Sequence, residues 1–114
     1  KIKAKRGGGQ VDIDRLIVPG KVTIVDFYAE WCGPCRAMAP TLEKLATRDP
    51  DVFLRKVDIV EWNSAVARQH GIKSIPSVRV YDASGKLVGQ PTSDLEAIRG
   101  NVETAKTTVK KPAK

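Results

Sequence analysis

Hydrophobic and polar positions follow two clear patterns in the first half of the chain. The stretch Val22–Tyr28, VTIVDFY, is β-branched, aromatic and almost continuously apolar, which predicts a central strand covered on both faces. Beyond it, apolar residues recur at helical spacing and predict a long helix with one buried face. These residues are Cys35, Met38, Ala39, Leu42, Leu45 and Ala46. Pro40 lies within this helix and predicts a kink.

The pattern after this helix predicts a strand, a short helix and a hairpin. Residues 52–59 form the apolar run of the strand. Residues 63–70 predict the short helix, with Asn63 as its N-cap and Gly71 just beyond its end. Residues 77–89 contain two apolar runs around an Asp-Ala-Ser-Gly turn, which predicts a β-hairpin.

Shorter elements are predicted near the two ends of the chain. Ser93 and Glu96 form a capping box that predicts a final helix. The buried face of this helix is marked by Leu95, Ile98 and Val102. Val11 and Ile13 alternate with acidic residues and predict a short edge strand, and residues 14–21 leave room for no more than one turn of helix.

The order of these elements indicates the fold class. Strand, helix, strand, helix, strand, strand and helix predict an α/β sandwich in which a parallel, right-handed βαβ unit adjoins an antiparallel hairpin. A chain of 114 residues fits a single domain. We expect a flexible basic leader at residues 1–9, the folded domain at residues 10–106 and a disordered basic tail at residues 107–114.

The net charge of +7 raises the question of a nucleic-acid partner. Eight of the 20 lysines and arginines lie in residues 1–9 and 104–114, which contain no acid. The other twelve stand against 13 acids, so the predicted domain has no excess of basic charge. A groove that follows phosphates needs clustered cations and exposed aromatics, and we therefore expect no nucleic-acid partner. We also expect no membrane span, because no apolar run approaches the ~18 residues that one needs.

The candidate chemistry lies in Trp-Cys-Gly-Pro-Cys at residues 31–35, between the predicted central strand and the long helix. A helix N-terminus stabilises an anion, so we expect the pKa of Cys32 to lie below the ~8.5 of a free thiol. Cys35 lies one turn deeper on the same face, near enough for the two sulfurs to bond. The pair therefore predicts an exchange in which Cys32 attacks a substrate disulfide and Cys35 releases the reduced substrate.

Asp26 is the candidate base that accepts the proton of Cys35. It interrupts an apolar strand just before the cysteines, and burial would raise its pKa toward the range useful for proton transfer. Lys56, in the neighbouring strand, is its candidate partner. A solvent-facing strand residue is the alternative interpretation of Asp26, and half of a zinc site or two inert core thiols are the alternatives for the cysteines. We expect no metal and no bound cofactor.

Three segments carry a resemblance to a known family. VDFYAEWCGPCRAMAPTLEKLA at residues 25–46, KVDI at residues 56–59 and GIKSIPSV at residues 71–78 resemble the thioredoxin family. The resemblance implies a three-layer sandwich, with a mixed central sheet flanked by helices and a first helix that is reduced or missing. It also implies a cis bond between Ile75 and Pro76 that faces the cysteines and offers a substrate chain strand-like hydrogen bonds.

The resemblance extends to the other residues around the cysteines. It implies that Trp31 shields the site and that Gly33 and Pro34 shape the turn and favour reduction over oxidation of substrates. Residues 10–106 are then a thioredoxin-like domain, and the implied activity is that of a thiol:disulfide oxidoreductase that chiefly reduces protein disulfides.

The same expectation defines partners and leaves the compartment open. The expected partners are protein disulfide substrates and a recycling reductase, either a thioredoxin reductase or a membrane electron donor, and we expect a monomer. The chain begins at Lys1 and not at a methionine, so both a cytoplasmic form and an exported periplasmic form fit. Two alternatives stay open: an exported, dedicated reductase or oxidant with a specific partner, and a non-catalytic binding module on this scaffold.

Overall fold

The computed structural model describes residues 1–110, which form five strands and four helices. The strands are β1 (Ile2–Lys5), β2 (Val22–Tyr28), β3 (Val52–Asp58), β4 (Ser77–Tyr81) and β5 (Leu87–Thr92). The helices are α1 (Ile13–Leu16), α2 (Gly33–Arg48), α3 (Ala65–Gln69) and α4 (Leu95–Lys106). In this part of the chain, no helix combines the length and the apolar character needed to cross a membrane.

The strands form one mixed sheet in the order β1-β3-β2-β4-β5. β3 pairs in parallel with both β1 and β2, and β4 pairs antiparallel with both β2 and β5. β2 is thus the central strand, and all seven of its residues are buried. The predicted parallel βαβ unit beside an antiparallel hairpin is confirmed.

Alternate residues of β2 contribute to two separate apolar clusters on opposite faces of the sheet. Val25 and Phe27 pack in one cluster with residues of α1 and α3. Val22 and Ile24 pack in the other with residues of α2 and α4. The result is the predicted three-layer sandwich, with a first helix reduced to four residues.

The first residues form an edge strand, and the prediction of a flexible leader is wrong for β1. Ile2 lies opposite Leu54 and Lys5 lies opposite Val57, in a parallel ladder with β3. All four residues of β1 are exposed, so its sequence has no buried face to distinguish it from a basic tail. The partner strand lies far along the chain, which local patterns do not reveal.

The edge strand predicted around Val11 and Ile13 is also wrong. Ile13 begins α1, and Asp12 caps this helix by accepting a hydrogen bond from the Asp14 N–H (3.0 Å). The acidic residues that look like the polar half of a strand are therefore the cap and the first turn of a helix.

Two predicted helix caps are wrong by one residue. Ser64, and not Asn63, caps α3, and Asp94, and not Ser93, caps α4. In both cases two residues able to cap a helix stand side by side, and the backbone decides which one has the extended conformation that a cap requires. The predicted role of Gly71 is confirmed by its φ of 62° just after α3.

The predicted disordered tail is wrong where the structure describes it. The Ala83 N–H donates a hydrogen bond to Thr108 Oγ1 (2.9 Å), and Val109 packs against the cluster formed with α2 and α4. These contacts hold the residues after α4 on the domain. The rest of the predicted tail, residues 111–114, lies outside the described residues.

Candidate active site

The two cysteines lie where the central strand leads into the long helix. β2 ends at Tyr28, and Cys32 is the N-cap of α2. The Cys35 N–H donates a hydrogen bond to Cys32 Sγ (3.2 Å), so the sulfur occupies the place of a capping oxygen. Cys32 and Cys35 form a disulfide with a Cα–Cα distance of 5.3 Å. The predicted pairing is therefore present.

Cys32 lies at the end of α2 that carries unpartnered N–H groups. The first N–H groups of an α-helix lack partners within the helix, and the helix dipole places partial positive charge at this end. α2 has 16 residues, and an N–H of its first turn already points at Cys32 Sγ. This environment stabilises a thiolate, which is the attacking form in disulfide exchange.

A second loop, which leads into the neighbouring strand β4, approaches the disulfide. The bond between Ile75 and Pro76 is cis, as the resemblance implies, and Pro76 is buried. The Ile75 carbonyl oxygen lies 3.9 Å from Cys32 Sγ. The segment before β4 therefore brings its main chain to the sulfur of Cys32, and both cysteines are buried in the oxidised protein.

Asp26 is a buried carboxyl group in β2, with only 2% of its surface exposed. Its Oδ1 has no hydrogen-bond partner within residues 1–110. Burial raises the pKa of Asp26 to about 7, opposed by the charge of Lys56 and supported by that of Glu43. The solvent-facing interpretation of this residue is wrong, and its carboxyl group exchanges a proton near neutral pH.

Lys56 lies beside Asp26 in the sheet but forms its ion pair elsewhere. The two residues are register partners of β2 and β3. Lys56 Nζ is 3.6 Å from Glu43 Oε2 and 4.9 Å from the centre of the Tyr28 ring. Among the described residues, no ion pair joins Lys56 to Asp26. Lys56 therefore acts on Asp26 through its charge, without direct contact.

A small cavity connects the buried carboxyl group with the inner cysteine. Its volume is about 200 Å³, and its lining includes Asp26, Cys35 and Lys56. A cavity of this size with polar walls can hold water molecules. The structure thus brings together three of the predicted site residues around one cavity, which is partly open to solvent.

The family comparison agrees with this geometry. A family model described as thioredoxin matches residues 12–106. The chain belongs to the thioredoxin family. Rice (Oryza sativa subsp. japonica) thioredoxin F, chloroplastic, is 36% identical over 87 residues, which cover 75% of this chain and 46% of the rice protein.

Other thioredoxins show the same relationship. A putative thioredoxin 2 of Streptomyces coelicolor is 35% identical over 86 residues, which cover 75% of this chain and 63% of that protein. The chain thus spans between about half and two thirds of these two relatives. The crystal structure of spinach chloroplast thioredoxin F (short form) has a TM-score of 0.74 and 27% identity, covering 93% of this chain and 94% of that one.

Around the cysteines of this chain, three large apolar side chains are exposed. Trp31 is 53% exposed, Trp62 48% and Val60 43%. Trp31 Nε1 donates a hydrogen bond to the Val60 carbonyl oxygen (2.6 Å), and the two indole rings pack with centroids 5.6 Å apart. The sequence does not predict that Trp62 lies at the site, because its contact with Trp31 depends on the conformation of the loop after β3.

The loop after β3 holds Val60 in an unfavourable backbone conformation. Its φ is 66°, in the left-handed region that β-branched residues avoid. Such conformations persist where neighbouring contacts fix the chain, and they concentrate at functional sites. Here the fixed contact is the hydrogen bond from Trp31, and the Val60 N–H also donates to Asp58 Oδ1 (2.8 Å).

Gly33 and Pro34 form the exposed first turn of α2. Pro34 needs no hydrogen-bond partner for its nitrogen at this position, because the first N–H groups of a helix have none within it. A Cβ atom at Gly33 would meet no other heavy atom within 4 Å. The glycine therefore leaves open space beside Cys32 without being required by the packing of the domain.

Proposed function

We propose that this protein is a thiol:disulfide oxidoreductase that reduces protein disulfides. The observation that supports this most directly is the disulfide at the N-terminus of α2, with Cys32 Sγ as its capping atom. In the reduced protein, the Cys32 thiolate attacks one sulfur of a substrate disulfide, forms a mixed disulfide and displaces the other substrate sulfur as a thiolate. Deprotonated Cys35 then attacks Cys32 Sγ, which restores the Cys32–Cys35 bond and releases the second substrate thiolate. Two electrons pass from the protein to the substrate.

Asp26 is the proposed acceptor of the Cys35 proton. Its raised pKa of about 7 suits proton transfer at neutral pH, and it shares a cavity with Cys35. We propose that the proton moves through water in that cavity. Lys56 tunes this step, because its charge opposes the effect of burial on the pKa of Asp26.

The main chain at Ile75 is the proposed contact for the substrate. Its carbonyl oxygen lies 3.9 Å from Cys32 Sγ, so an extended substrate strand that pairs with it would present its disulfide to the attacking sulfur. Trp31, next to Cys32 in the chain, is 53% exposed, and a Cβ atom at Gly33 would meet no heavy atom within 4 Å, so both leave accessible surface beside this position. These features favour protein substrates over compact small disulfides.

The cycle ends with an oxidised protein, so it requires a dithiol donor. We propose a reductase in this role, because the bond to be reduced is the same Cys32–Cys35 bond that the substrate reaction forms. A thioredoxin f2, similar to this chain in fold, has been solved in a complex with ferredoxin:thioredoxin reductase. The donor for this chain can be identified by measuring which purified reductase reduces the Cys32–Cys35 bond of the oxidised protein.

The test is catalysed reduction of insulin by dithiothreitol, followed by turbidity. The unmodified protein is expected to accelerate the reaction, and Cys32→Ser to abolish the acceleration. Cys35→Ser is the matched variant: it retains the attacking sulfur and is expected to accumulate a mixed disulfide detectable by mass spectrometry. Full acceleration by Cys32→Ser would overturn the proposed function.

The role of Asp26 needs a separate measurement. Asp26→Asn is expected to slow the release of substrate from the mixed disulfide by about 10-fold to 100-fold near neutral pH, because the Cys35 proton loses its acceptor. The first attack by Cys32 should be unchanged. An unchanged release rate would remove Asp26 from the mechanism without affecting the proposal for the cysteines.

A further inference from the structure

A groove between β1 and α1 collects basic side chains from three elements. Lys3 and Lys5 come from β1, Arg15 from α1 and Arg55 from β3. The cavity lined by these residues has a volume of about 480 Å³. A second cavity of about 550 Å³ adjoins it, because Lys5 and Arg15 line both, and Arg6 lines the second one. We call these five residues the basic groove. It exists only because residues 2–5 are ordered as a strand.

The charges of the basic groove are almost unneutralised. Within residues 1–110, Lys3, Lys5, Arg6 and Arg55 form no ion pair, and the pair of Arg15 with Asp12 is long (3.9 Å). The Arg15 side chain is 88% exposed in that pair, where water screens the attraction. The groove therefore presents a concentrated positive charge to solvent.

The arrangement of these charges opposes folding. Lys3 lies directly opposite Arg55 in the ladder between β1 and β3. Like charges at directly opposed positions of neighbouring strands are destabilising. Lysines on an edge strand also prevent edge-to-edge aggregation, but that role needs only β1 and does not explain Arg15. Arg55 donates hydrogen bonds to the main-chain oxygens of Leu16, Lys1 and Leu54 (each 3.3 Å), which hold its guanidinium group in place without neutralising its charge. A ligand that brings negative charge would offset the charge of all these residues.

We propose that the basic groove docks an acidic, extended segment of a partner protein. The lining includes the apolar side chains of Val11, Leu16 and Ile17, which are buried or half-buried. Cationic walls above an apolar floor match a peptide in which acidic residues alternate with aliphatic ones. This site is separate from the cysteines and goes beyond the proposed function.

Nucleic acid fits the basic groove less well than an acidic peptide. Binding of single strands relies on aromatic side chains on which bases stack. In residues 1–110 the exposed tryptophans, Trp31 and Trp62, lie beside the disulfide and not in the groove. Phe53, the aromatic residue of β3, is covered by the ammonium group of Lys1 at 4.6 Å.

The basic groove adjoins the cavity of the active site at two residues. Arg6 and Lys56, which line the groove, also line the cavity that contains Asp26 and Cys35, and Lys56 is paired there with Glu43. A partner anchored in the groove would thus remain close to the cysteines, which raises the effective concentration of its disulfide. Long-range attraction between the groove and an acidic partner would also speed their encounter.

The test uses fluorescence anisotropy with a labelled, glutamate-rich peptide in which leucine occupies every third position. The unmodified protein is expected to bind it, with affinity falling between about 50 mM and about 300 mM NaCl because the charges are exposed. Lys3→Glu/Arg15→Glu is expected to weaken binding at least about 10-fold. Backbone amide NMR shifts caused by the peptide are expected in β1 and α1.

Lys44→Glu/Arg99→Glu is the matched control, because it changes the net charge equally at exposed positions of α2 and α4. It is expected to leave peptide binding within about twofold. Both double variants should retain insulin reduction, so failure of the groove and failure of the proposed function are distinguishable. Equal loss of binding in the two variants, or tighter binding of oligothymidylate than of the peptide, would overturn the proposal.

Discussion

Burial of Asp26 lowers the stability of the folded protein when its carboxyl group is ionised. Its pKa is raised from 3.8 to about 7 in the folded protein, so the folded state retains a proton that the unfolded chain releases. The free energy of unfolding therefore falls as pH rises from about 4 to about 7. Asp26→Asn removes this loss and is expected to stabilise the oxidised protein at about pH 8 by up to about 4 kcal/mol. Urea denaturation of the unmodified protein and of Asp26→Asn at about pH 4 and about pH 8 measures the effect.

Asp82 provides the matched control for this prediction, since it is also a buried aspartate (7% exposed). Despite its burial, hydrogen bonds from Ser84 and from the Lys86 N–H lower its pKa. Its contribution to stability is present above its unfolded pKa and lost on acidification, so Asp82→Asn is expected to destabilise the protein at about pH 8. A loss of stability in Asp26→Asn as well would contradict the account of Asp26.

At the level of residues, the sequence predicts those parts of the site that depend on local context. Cys32 and Cys35 are placed by the start of a helix, Cys32 as its N-cap and Cys35 in its first turn, and the burial of Asp26 follows from its apolar strand. The contacts that Glu43 and Trp62 make could not be predicted from the sequence. Each of them meets a residue from a distant part of the chain, Lys56 and Trp31 respectively.

β5 packs closely against α4 at Gly89, where the absence of a side chain leaves room for Asn101. Gly89 has a φ of +69°, and a Cβ atom there would lie 2.5 Å from Asn101 Oδ1. Gly89→Ala is expected to lower the free energy of unfolding by about 1 to 2 kcal/mol, mainly through the backbone conformation, because the Asn101 side chain can move. Equilibrium denaturation in guanidinium chloride measures this loss.

Gly100 gives a control of opposite sign on the same helix. It lies within α4, and a Cβ atom there would meet no heavy atom within 4 Å. Gly100→Ala is expected to stabilise the protein by about 0.5 to 1 kcal/mol, because alanine favours the helix. If both variants lost stability equally, the backbone at Gly89 would not be the cause.

At the level of elements, the central layers could be predicted and the edges could not. β2 has a continuous apolar run because both of its faces are buried, and α2 has apolar residues at helical spacing because one of its faces is buried. β1 has no buried face, and only its ladder with β3 defines it. The caps of α3 and α4 shift by one residue because Asn63-Ser64 and Ser93-Asp94 each offer two capping side chains.

At the scale of the molecule, β1 closes one side of the sheet. Removal of residues 1–6 would leave the outer backbone groups of β3 without partners and is expected to lower the free energy of unfolding by about 1 to 3 kcal/mol. The loss should appear in denaturation midpoints and in faster amide hydrogen exchange along β3. Lys3→Glu, which replaces the repulsion from Arg55 by attraction, is expected to retain full stability. If the shortened chain kept its full stability, the first residues would behave as the flexible leader that the sequence predicts.

The parallel ladder of the edge strand also has a consequence for biosynthesis. Ile2 leaves the ribosome well before its register partner Leu54, which is translated 52 residues later. The β1 segment must therefore stay unpaired while the chain up to β3 is made. Repulsion among its closely spaced ammonium groups keeps that waiting segment apart from identical segments on neighbouring ribosomes of the same messenger RNA.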